Sequence, residues 1–293
     1  MMNIGFIGLG MMGYPMAHLL TQGGHALRVM DLNAATTSRF VAEHEGASAA
    51  AALQDFGDAQ VLITMLPDSN AVESVVLGKE GMQGLDGILR PGTAIIDMSS
   101  SEPVRSRRLA GLLAGRGFRY LDAPVSGGVK RAVAGTLAIM VGGDAQVLAD
   151  MEPVLNLLGK CTHVGAAGAG HAMKALNNYV SAAGLVATVE ALHAGQAFGL
   201  DPNVMVSVLN ASTGKNNTTE NKASQFMLSG AYNSGFSLAL MAKDLGIAMG
   251  LGKSVGQPMP LGDEVLQIWR DASEALGPSA DHTEMYRYAP PKT

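Results

Sequence analysis

The 293-residue sequence predicts an α/β fold: an N-terminal doubly wound Rossmann-type domain, a long connecting helix and an all-α C-terminal domain. Three observations predict it. Short apolar runs alternate with helix-like stretches through residue 163, the pattern of βαβ units with parallel strands. From Gly170 to about Phe198 there is no proline and no strand signal, so nearly thirty residues suit one helix of roughly 40 Å. Beyond that helix no strand pattern returns. The domains expected are therefore 1–163, α/β, and 164–293, helical and opening with the long helix.

The strand candidates, in order, are "NIGFIG" from Asn3, "ALRVMD" (26–31), "VLITML" (61–66), "TAIIDM" (93–98), "FRYLDA" (118–123), "LAIMVGG" (137–143) and "THVG" (162–165). Helix candidates between them span 13–22, 33–44, 103–115 and 144–158. After the long helix, "DPN" at 201–203 reads as an aspartate cap with proline at the first helical position. "FSLALMAKDLGIAMGLG" (236–252) is the clearest amphipathic piece of the second domain, and the tail from Pro278 on is expected to be irregular.

Composition removes several function classes. With 47% hydrophobic and 15% charged residues the chain can bury a large core. A net charge of −5 argues against a nucleic-acid partner. The one cysteine, Cys161, allows no internal disulfide and suits a reducing cytoplasm, and no basic leader precedes the first strand. The most apolar later stretch, 179–198, is interrupted by Glu190, His193 and Gln196, so no membrane span is expected. The seven histidines do not cluster at ligand spacing, and no metal is expected.

The first motif is Gly8-Leu9-Gly10-Met11-Met12-Gly13, a GxGxxG run that follows an apolar strand and opens a helix. Gly8 permits the tight turn, Gly10 lets backbone approach a pyrophosphate, and Gly13 lets helix and strand pack closely. Asp31, at the end of the second strand, can accept from the adenosine ribose hydroxyls and would repel a 2′-phosphate. NAD is the expected cofactor. NADP stays open because Arg28 and Arg39 are near in sequence.

The second motif, "DAPVSGGVKRAVAGTL" (122–137), places Ser126, Gly127 and Gly128 after a strand. A hydroxyl and unobstructed backbone N–H groups suit a carboxylate, which needs convergent donors. A glycine-rich turn is the other reading.

With two further motifs the chain resembles the β-hydroxyacid dehydrogenases, the family that includes 3-hydroxyisobutyrate dehydrogenase. "GFIGLGMMGYPMA", "DAPVSGG", "GAGHAMKALNN" and "MAKDLGIA" occur in the family's order and span essentially the whole chain. The resemblance implies that Lys174 is the catalytic group, that Asn178 helps hold substrate, and that Ser126, Gly127 and Gly128 bind its carboxylate. It also implies that Lys243 reaches the cofactor, with Phe236 near the nicotinamide and Asp244 behind it. Leu66, Pro67 and Ser100, in the loops after the third and fourth strands, complete the implied cofactor contacts.

Lys174, Asn178 and Ser181 fall at i, i+4 and i+7 of the long helix and so share a face, expected to look into an interdomain cleft. Ala172, Leu176 and Ala183, on another side, suit packing. The reaction so read is reversible oxidation of a small 3-hydroxy acid, 3-hydroxyisobutyrate or a close analogue. Lys174 takes the hydroxyl proton, or donates it in the reverse direction. A free lysine has a pKa near 10.4, so burial or a neighbouring cation must lower it for work as a base.

Alternatives on the same fold are reduction of tartronate semialdehyde, glyoxylate or succinic semialdehyde, or oxidation of a hydroxylated acid such as threonate. Lys130 and Arg131 depart from the small residues common in the family there, and mean either a more anionic substrate or a solvated surface. The polar stretch "STGKNNTTENK" (212–222) stands where selective residues could lie, or is a helix–helix loop. A cofactor-sensing module would lack the lysine, which this chain keeps. The family and the apolar second domain imply a homodimer or homotetramer.

Overall fold

The computed structural model describes residues 1–79 and 81–288. The chain divides into two units, Met1–Lys174 and the residues from Ala175 on.

The first unit is built on a nine-stranded sheet. Its first half holds β1 (Asn3–Ile7), α1 (Gly13–Gln22), β2 (Ala26–Met30), α2 (Ala34–Glu43) and β3 (Ala47–Ala49). Its second half holds β4 (Val61–Thr64), α3 (Ser69–Leu77), a small hairpin of β5 (Gly78–Lys79) and β6 (Met82–Gln83) outside the main sheet, β7 (Ala94–Asp97), α4 (Pro103–Ala114) and β8 (Arg119–Asp122). The six sheet strands lie parallel in the order β3-β2-β1-β4-β7-β8. Strand order reverses between β1 and β4, and ligands bind such sheets at the carboxyl ends of the strands flanking that point.

Alternate residues of each strand serve opposite layers. Val61 and Ile63 join one core with Ile4, Phe6, Met16 and Ile96, while Leu62 joins the other with Ile7, Val72, Ile95 and Leu109. That two-sided burial is why these strands read as unbroken apolar runs. The helices start where their caps stand: Asn33 accepts from Ala35 N, Asp68 from Ala71 N, and Asp144 from Gln146 N and Val147 N.

The expectation of parallel strands fails at one place. β10 (Leu137–Gly143) runs antiparallel to β8, and β11 (Gly159–Gly165) then runs parallel to β10. The chain between β8 and β10 is spent on β9 (Val125–Ser126), which pairs antiparallel with β10, and on the six-residue α5 (Gly128–Val133). Neither is a crossover helix, and a parallel connection needs one. The helix α6 (Ala145–Leu155) then leads to β11.

The long helix α7 runs from Ala169 to Phe198, thirty residues without interruption. In the second unit its Ala175, Ala182, Leu185, Val189 and Leu192 enter a core with α10 (Leu238–Ser254) and α11 (Pro260–Leu276), around the fully buried Trp269. Buried Asn178 lies on this same stripe, whereas Ala172, Leu176 and Ala183 are only partly covered, so the expected packing side is displaced around the helix. Asp201 caps α8 (Pro202–Ala211) from Asn203 N with Pro202 at the first position. Next come the short α9 (Asn217–Asn221) and a π-helical segment, Ala223–Leu228.

The tail is more regular than expected. Asp281 opens a 3₁₀ turn over His282–Arg287 through a capping box with Glu284. Residues 289–293, the end of the tail expected to be irregular, lie outside the described residues.

His282 is 4% exposed; its Nδ1 lies 3.0 Å from the Phe236 carbonyl, and its ring stacks on Trp269. Burial first, and then the Lys222 ammonium, pull its pKa down from 6.5 to about 4. The folded chain therefore binds fewer protons than the unfolded chain between these values. Stability contributed by neutral His282 is full above pH 6.5 and lost as pH falls through about 4, roughly 3 kcal/mol in all. Thermal unfolding from pH 7 to pH 4 should show this slope, and His282→Gln should flatten it. Equal slopes in both proteins would remove His282 as the cause.

Candidate functional site

The loop after β1 is shaped by close backbone approach. Gly8 has φ +103°, and a Cβ there would stand 2.2 Å from the Met65 carbonyl oxygen; one on Gly13 would stand 1.9 Å from the Gly8 carbonyl oxygen. No larger residue fits either position. A Cβ on Gly10, by contrast, would meet nothing within 4 Å. Met12, at the start of α1, makes no side-chain cap; Tyr14 N already donates to the Gly10 carbonyl at 3.0 Å and Pro15 has no N–H, so Gly13 N is the first-turn donor left for an anion. Leu9 is buried in the core while Met11 is 71% exposed.

Asp31 ties this loop to β2. Its Oδ2 accepts from Leu9 N at 2.7 Å and its Oδ1 from Asn33 N at 2.8 Å. Each carboxylate oxygen keeps a second acceptor position, which fits a ribose hydroxyl. Arg28 is engaged elsewhere, paired with Asp58 at 2.6 Å and bonded to the Asp55 carbonyl. The Arg39 guanidinium lies 4.7 Å from the Tyr14 ring centre. Leu66 and Pro67 follow β4, and Leu66 N donates to Ser99 Oγ at 2.9 Å; Ser100 follows β7. Gly8 to Gly13, Asp31, Leu66, Pro67 and Ser100 thus all lie at the carboxyl ends of β1, β2, β4 and β7. This is the edge where the strand order reverses, and these residues fit a dinucleotide.

The second motif meets the lysine within the same unit. Lys174 Nζ donates to the Val125 carbonyl at 2.8 Å, one residue before Ser126. Ser126 ends β9, and Gly127 and Gly128 follow with φ of +135° and +66°. Lys130 and Arg131 are exposed on α5.

A buried polar network, absent from the sequence reading, sets where α7 begins. Asp122, at the end of β8, accepts from Gly168 N at 2.7 Å through Oδ1 and from His171 N at 2.9 Å through Oδ2. It thereby caps the helix that carries Lys174 one turn later, with its negative charge at the positive end of the helix dipole. Burial pushes the Asp122 carboxyl up, while His171 and the backbone donors pull it back. His171 Nε2 donates to the Ser99 carbonyl at 3.0 Å, and Nδ1 shares a hydrogen bond with Ser106 Oγ at 2.8 Å. Asp97 stands 3.8 Å from His171 and accepts from Thr64, Ser99 and Ser101. The available signal was two apolar strands each closing on an aspartate; the partner in α7 is 49 residues away.

In the second unit Asn178 Nδ2 donates to Asp244 Oδ2 at 2.6 Å, and Asn177 donates to Asn178 Oδ1 at 3.2 Å. Asp244 is 3% exposed, and its Oδ1 is 3.7 Å from Lys243 Nζ. Asp244 therefore fixes the Asn178 amide. Phe236 is half-buried, edge-on to His282 at 5.8 Å. In the polar stretch Asn216 caps α9 and donates to Thr188 of α7 at 3.1 Å, while Lys222 Nζ donates to Ser181 of α7 at 3.4 Å.

Among the described residues no group of three His, Cys, Asp or Glu side chains could hold a metal ion, and no helix is long and apolar enough to cross a membrane.

Comparison with known proteins agrees with this architecture. Residues 3–166 match the model of the NAD-binding domain of 6-phosphogluconate dehydrogenase, and 168–289 that of the NAD-binding region of NADP-dependent 3-hydroxyisobutyrate dehydrogenase. The chain is 39% identical to 2-(hydroxymethyl)glutarate dehydrogenase of Eubacterium barkeri, over 94% of this chain and 90% of that one. It is also 39% identical to 3-hydroxyisobutyrate dehydrogenase of Pseudomonas aeruginosa, over 89% of each. The solved structure of Mycobacterium tuberculosis 3-hydroxyisobutyrate dehydrogenase with L-serine superimposes with a TM-score of 0.91 at 34% identity, covering 98% of both chains. With both halves matched and relatives this similar over nearly their full length, the chain belongs to the β-hydroxyacid dehydrogenases, NAD(P)-dependent oxidoreductases of hydroxy acids.

Proposed function

We propose that this dehydrogenase oxidises a small 3-hydroxy acid, 3-hydroxyisobutyrate or a close analogue, with NAD. One observation carries the reading: the Lys174 amine is fastened to the Val125 carbonyl, beside the Ser126-Gly127-Gly128 loop suited to a carboxylate. A substrate carboxylate held by Ser126 Oγ and the backbone N–H groups of that loop brings the hydroxyl two carbons along within reach of Lys174. The relatives' names point the same way. 3-Hydroxyisobutyrate and 2-(hydroxymethyl)glutarate share a primary hydroxyl on the carbon next to C2 of a carboxylate, and differ in the other C2 substituent.

Lys174 would accept the hydroxyl proton in oxidation and return it to the carbonyl oxygen in reduction. In reduction its ammonium would polarise that oxygen. Asn178, fixed by Asp244, would orient the hydroxyl. The nicotinamide, when bound, supplies the hydride acceptor. Gly8 to Gly13 would hold the pyrophosphate, Asp31 the ribose, Leu66, Pro67 and Ser100 the rest of the dinucleotide, and Lys243 and Phe236 its nicotinamide end. With Arg28 and Arg39 engaged elsewhere, nothing in their geometry offsets Asp31 against a 2′-phosphate. A cytoplasmic homodimer or homotetramer completes the reading, supported by the lone cysteine and by the apolar exposure of Val180, Val204 and Val208.

The test is a substrate panel followed by nicotinamide absorbance: 3-hydroxyisobutyrate, 2-(hydroxymethyl)glutarate, glycerate, serine, threonate and 4-hydroxybutyrate forward, glyoxylate and succinic semialdehyde in reverse. A 3-hydroxy acid should be oxidised, with kcat/KM for NAD above that for NADP by about tenfold or more, the worth of ~1.4 kcal/mol. Turnover of the aldehydes alone would overturn the substrate reading, and preference for NADP would overturn the role of Asp31.

A further inference from the structure

The short helix α5 turns one of its cations back over the Ser126-Gly127-Gly128 loop. A Cβ placed on Gly127 would stand 2.5 Å from Arg131 Cδ, 2.8 Å from its Cβ and 3.1 Å from its Cγ. Three successive stem carbons at these distances mean that the Arg131 side chain lies along the bare face of Gly127. The direction is the ordinary one on a helix, where a side chain leans towards the N-terminus and meets the residue four positions earlier. The guanidinium follows Cδ directly and so borders the loop. Gly128 is open on its own bare side, since a Cβ there would meet nothing within 4 Å.

The charge of Arg131 is uncommitted. Arg28, Arg105, Arg116 and Arg119 of the same unit are each paired with an aspartate or glutamate. Among the described residues Arg131 has no such partner and no side-chain hydrogen bond. Its planar fork of N–H donors matches the two oxygens of a carboxylate. The loop by itself offers an anion only neutral donors, the Ser126 hydroxyl and backbone N–H groups.

We infer that Arg131 completes the carboxylate site: its guanidinium pairs with the same substrate carboxylate that Ser126, Gly127 and Gly128 hold. Negative charge, and not shape alone, then becomes the condition for binding. This rests on the reading of that loop as the carboxylate site. Such a contact is made with substrate and transition state alike, so it is expressed in KM and not in kcat. Lys130 is the neighbouring cation, but a step of about 100° around the helix separates the two side chains. The three atoms nearest the Gly127 face all belong to Arg131. Lys130 therefore serves as the control, with the same charge on the same helix.

The experiment is calorimetric titration of the NADH complex with isobutyrate and with its neutral isostere isobutyramide, run beside kinetics on 3-hydroxyisobutyrate. The parent should bind isobutyrate about 10- to 100-fold more tightly than the amide, the range for a charge-assisted hydrogen bond. Arg131→Met should remove most of that ratio and raise KM for 3-hydroxyisobutyrate by about 10-fold or more, with kcat within about threefold of the parent. Arg131→Lys, which keeps the charge but not the fork, should recover part of the ratio. Lys130→Met should leave both affinities within about twofold, as expected of an exposed charge without a partner. NADH affinity and far-ultraviolet circular dichroism of each variant report folding. Equal binding of acid and amide by the parent overturns the inference, and so does an undiminished ratio in Arg131→Met. An equal loss in Lys130→Met also overturns it, because the effect would then belong to net charge and not to contact. Isobutyrate binding that depends on Arg131, with no oxidation of any hydroxy acid, would leave Arg131 as a carboxylate ligand and overturn the proposed reaction instead.

Discussion

Lys174→Ala should lower kcat about 10²- to 10⁴-fold, the usual worth of a positioned proton donor and acceptor. Affinity for NADH, measured by fluorescence titration, should be retained, because the Gly8–Gly13 loop and Asp31 do not depend on this side chain. The loss should fall on kcat more than on KM, since the carboxylate is held by Ser126 and its neighbours. Lys174→Arg restores a cation that can still donate to the Val125 carbonyl, yet a guanidinium keeps its proton at any working pH. Oxidation by the arginine variant should therefore remain slow. An alanine variant within about tenfold of the parent would show that another group moves the proton.

What could be read from the sequence was whatever is settled locally. Asn33 and Asp201 announce their helices because the capping group lies within three residues of the N–H it accepts from. β4 and β7 are legible because both faces are buried, leaving no polar residue to interrupt the apolar run. β3, with the sequence Ala-Ser-Ala, has no such signal; only its register against Leu27 to Val29 makes it a strand. β9 is likewise two residues whose strand character comes wholly from β10.

The same division holds at the candidate site. The glycine loop and Asp31 stand out because type and spacing carry the signal, whereas the role of Lys174 is what the resemblance implies. Asp244 could be placed near the site only by resemblance, because its partner Asn178 is 66 residues away. Lys222 could not be distinguished from the other polar residues around it. Asn216 spends its side chain capping α9, Thr218 and Thr219 are buried, and Lys222 alone among the cations of that stretch reaches α7. Asn216, Thr218 and Thr219 thus build the turn while Lys222 is directed onto α7, a division made by the backbone path.

Asp122 is where that distant organisation should cost most to disturb. Asp122→Ala leaves the N–H groups of Gly168 and His171 buried without an acceptor and removes the charge beside His171, and should destabilise the protein by about 3–5 kcal/mol. In thermal unfolding this is a fall of roughly 10 °C. Gly170 packs directly on this residue: a Cβ on Gly170 would stand 2.5 Å from the Asp122 carbonyl oxygen and 2.9 Å from Oδ2. Asp122→Asn keeps the shape but turns an N–H₂ group against one of the two backbone donors, so its cost should be about 2 kcal/mol. That variant is the informative one for function. If the first turn of α7 is held by this carboxylate, loosening it should displace Lys174 and lower kcat while NADH affinity stays near that of the parent. A normal kcat in a destabilised Asp122→Asn protein would mean that the lysine is held in place without this carboxylate. Stability within about 1 kcal/mol of the parent in Asp122→Ala would mean that water replaces the carboxylate as the cap.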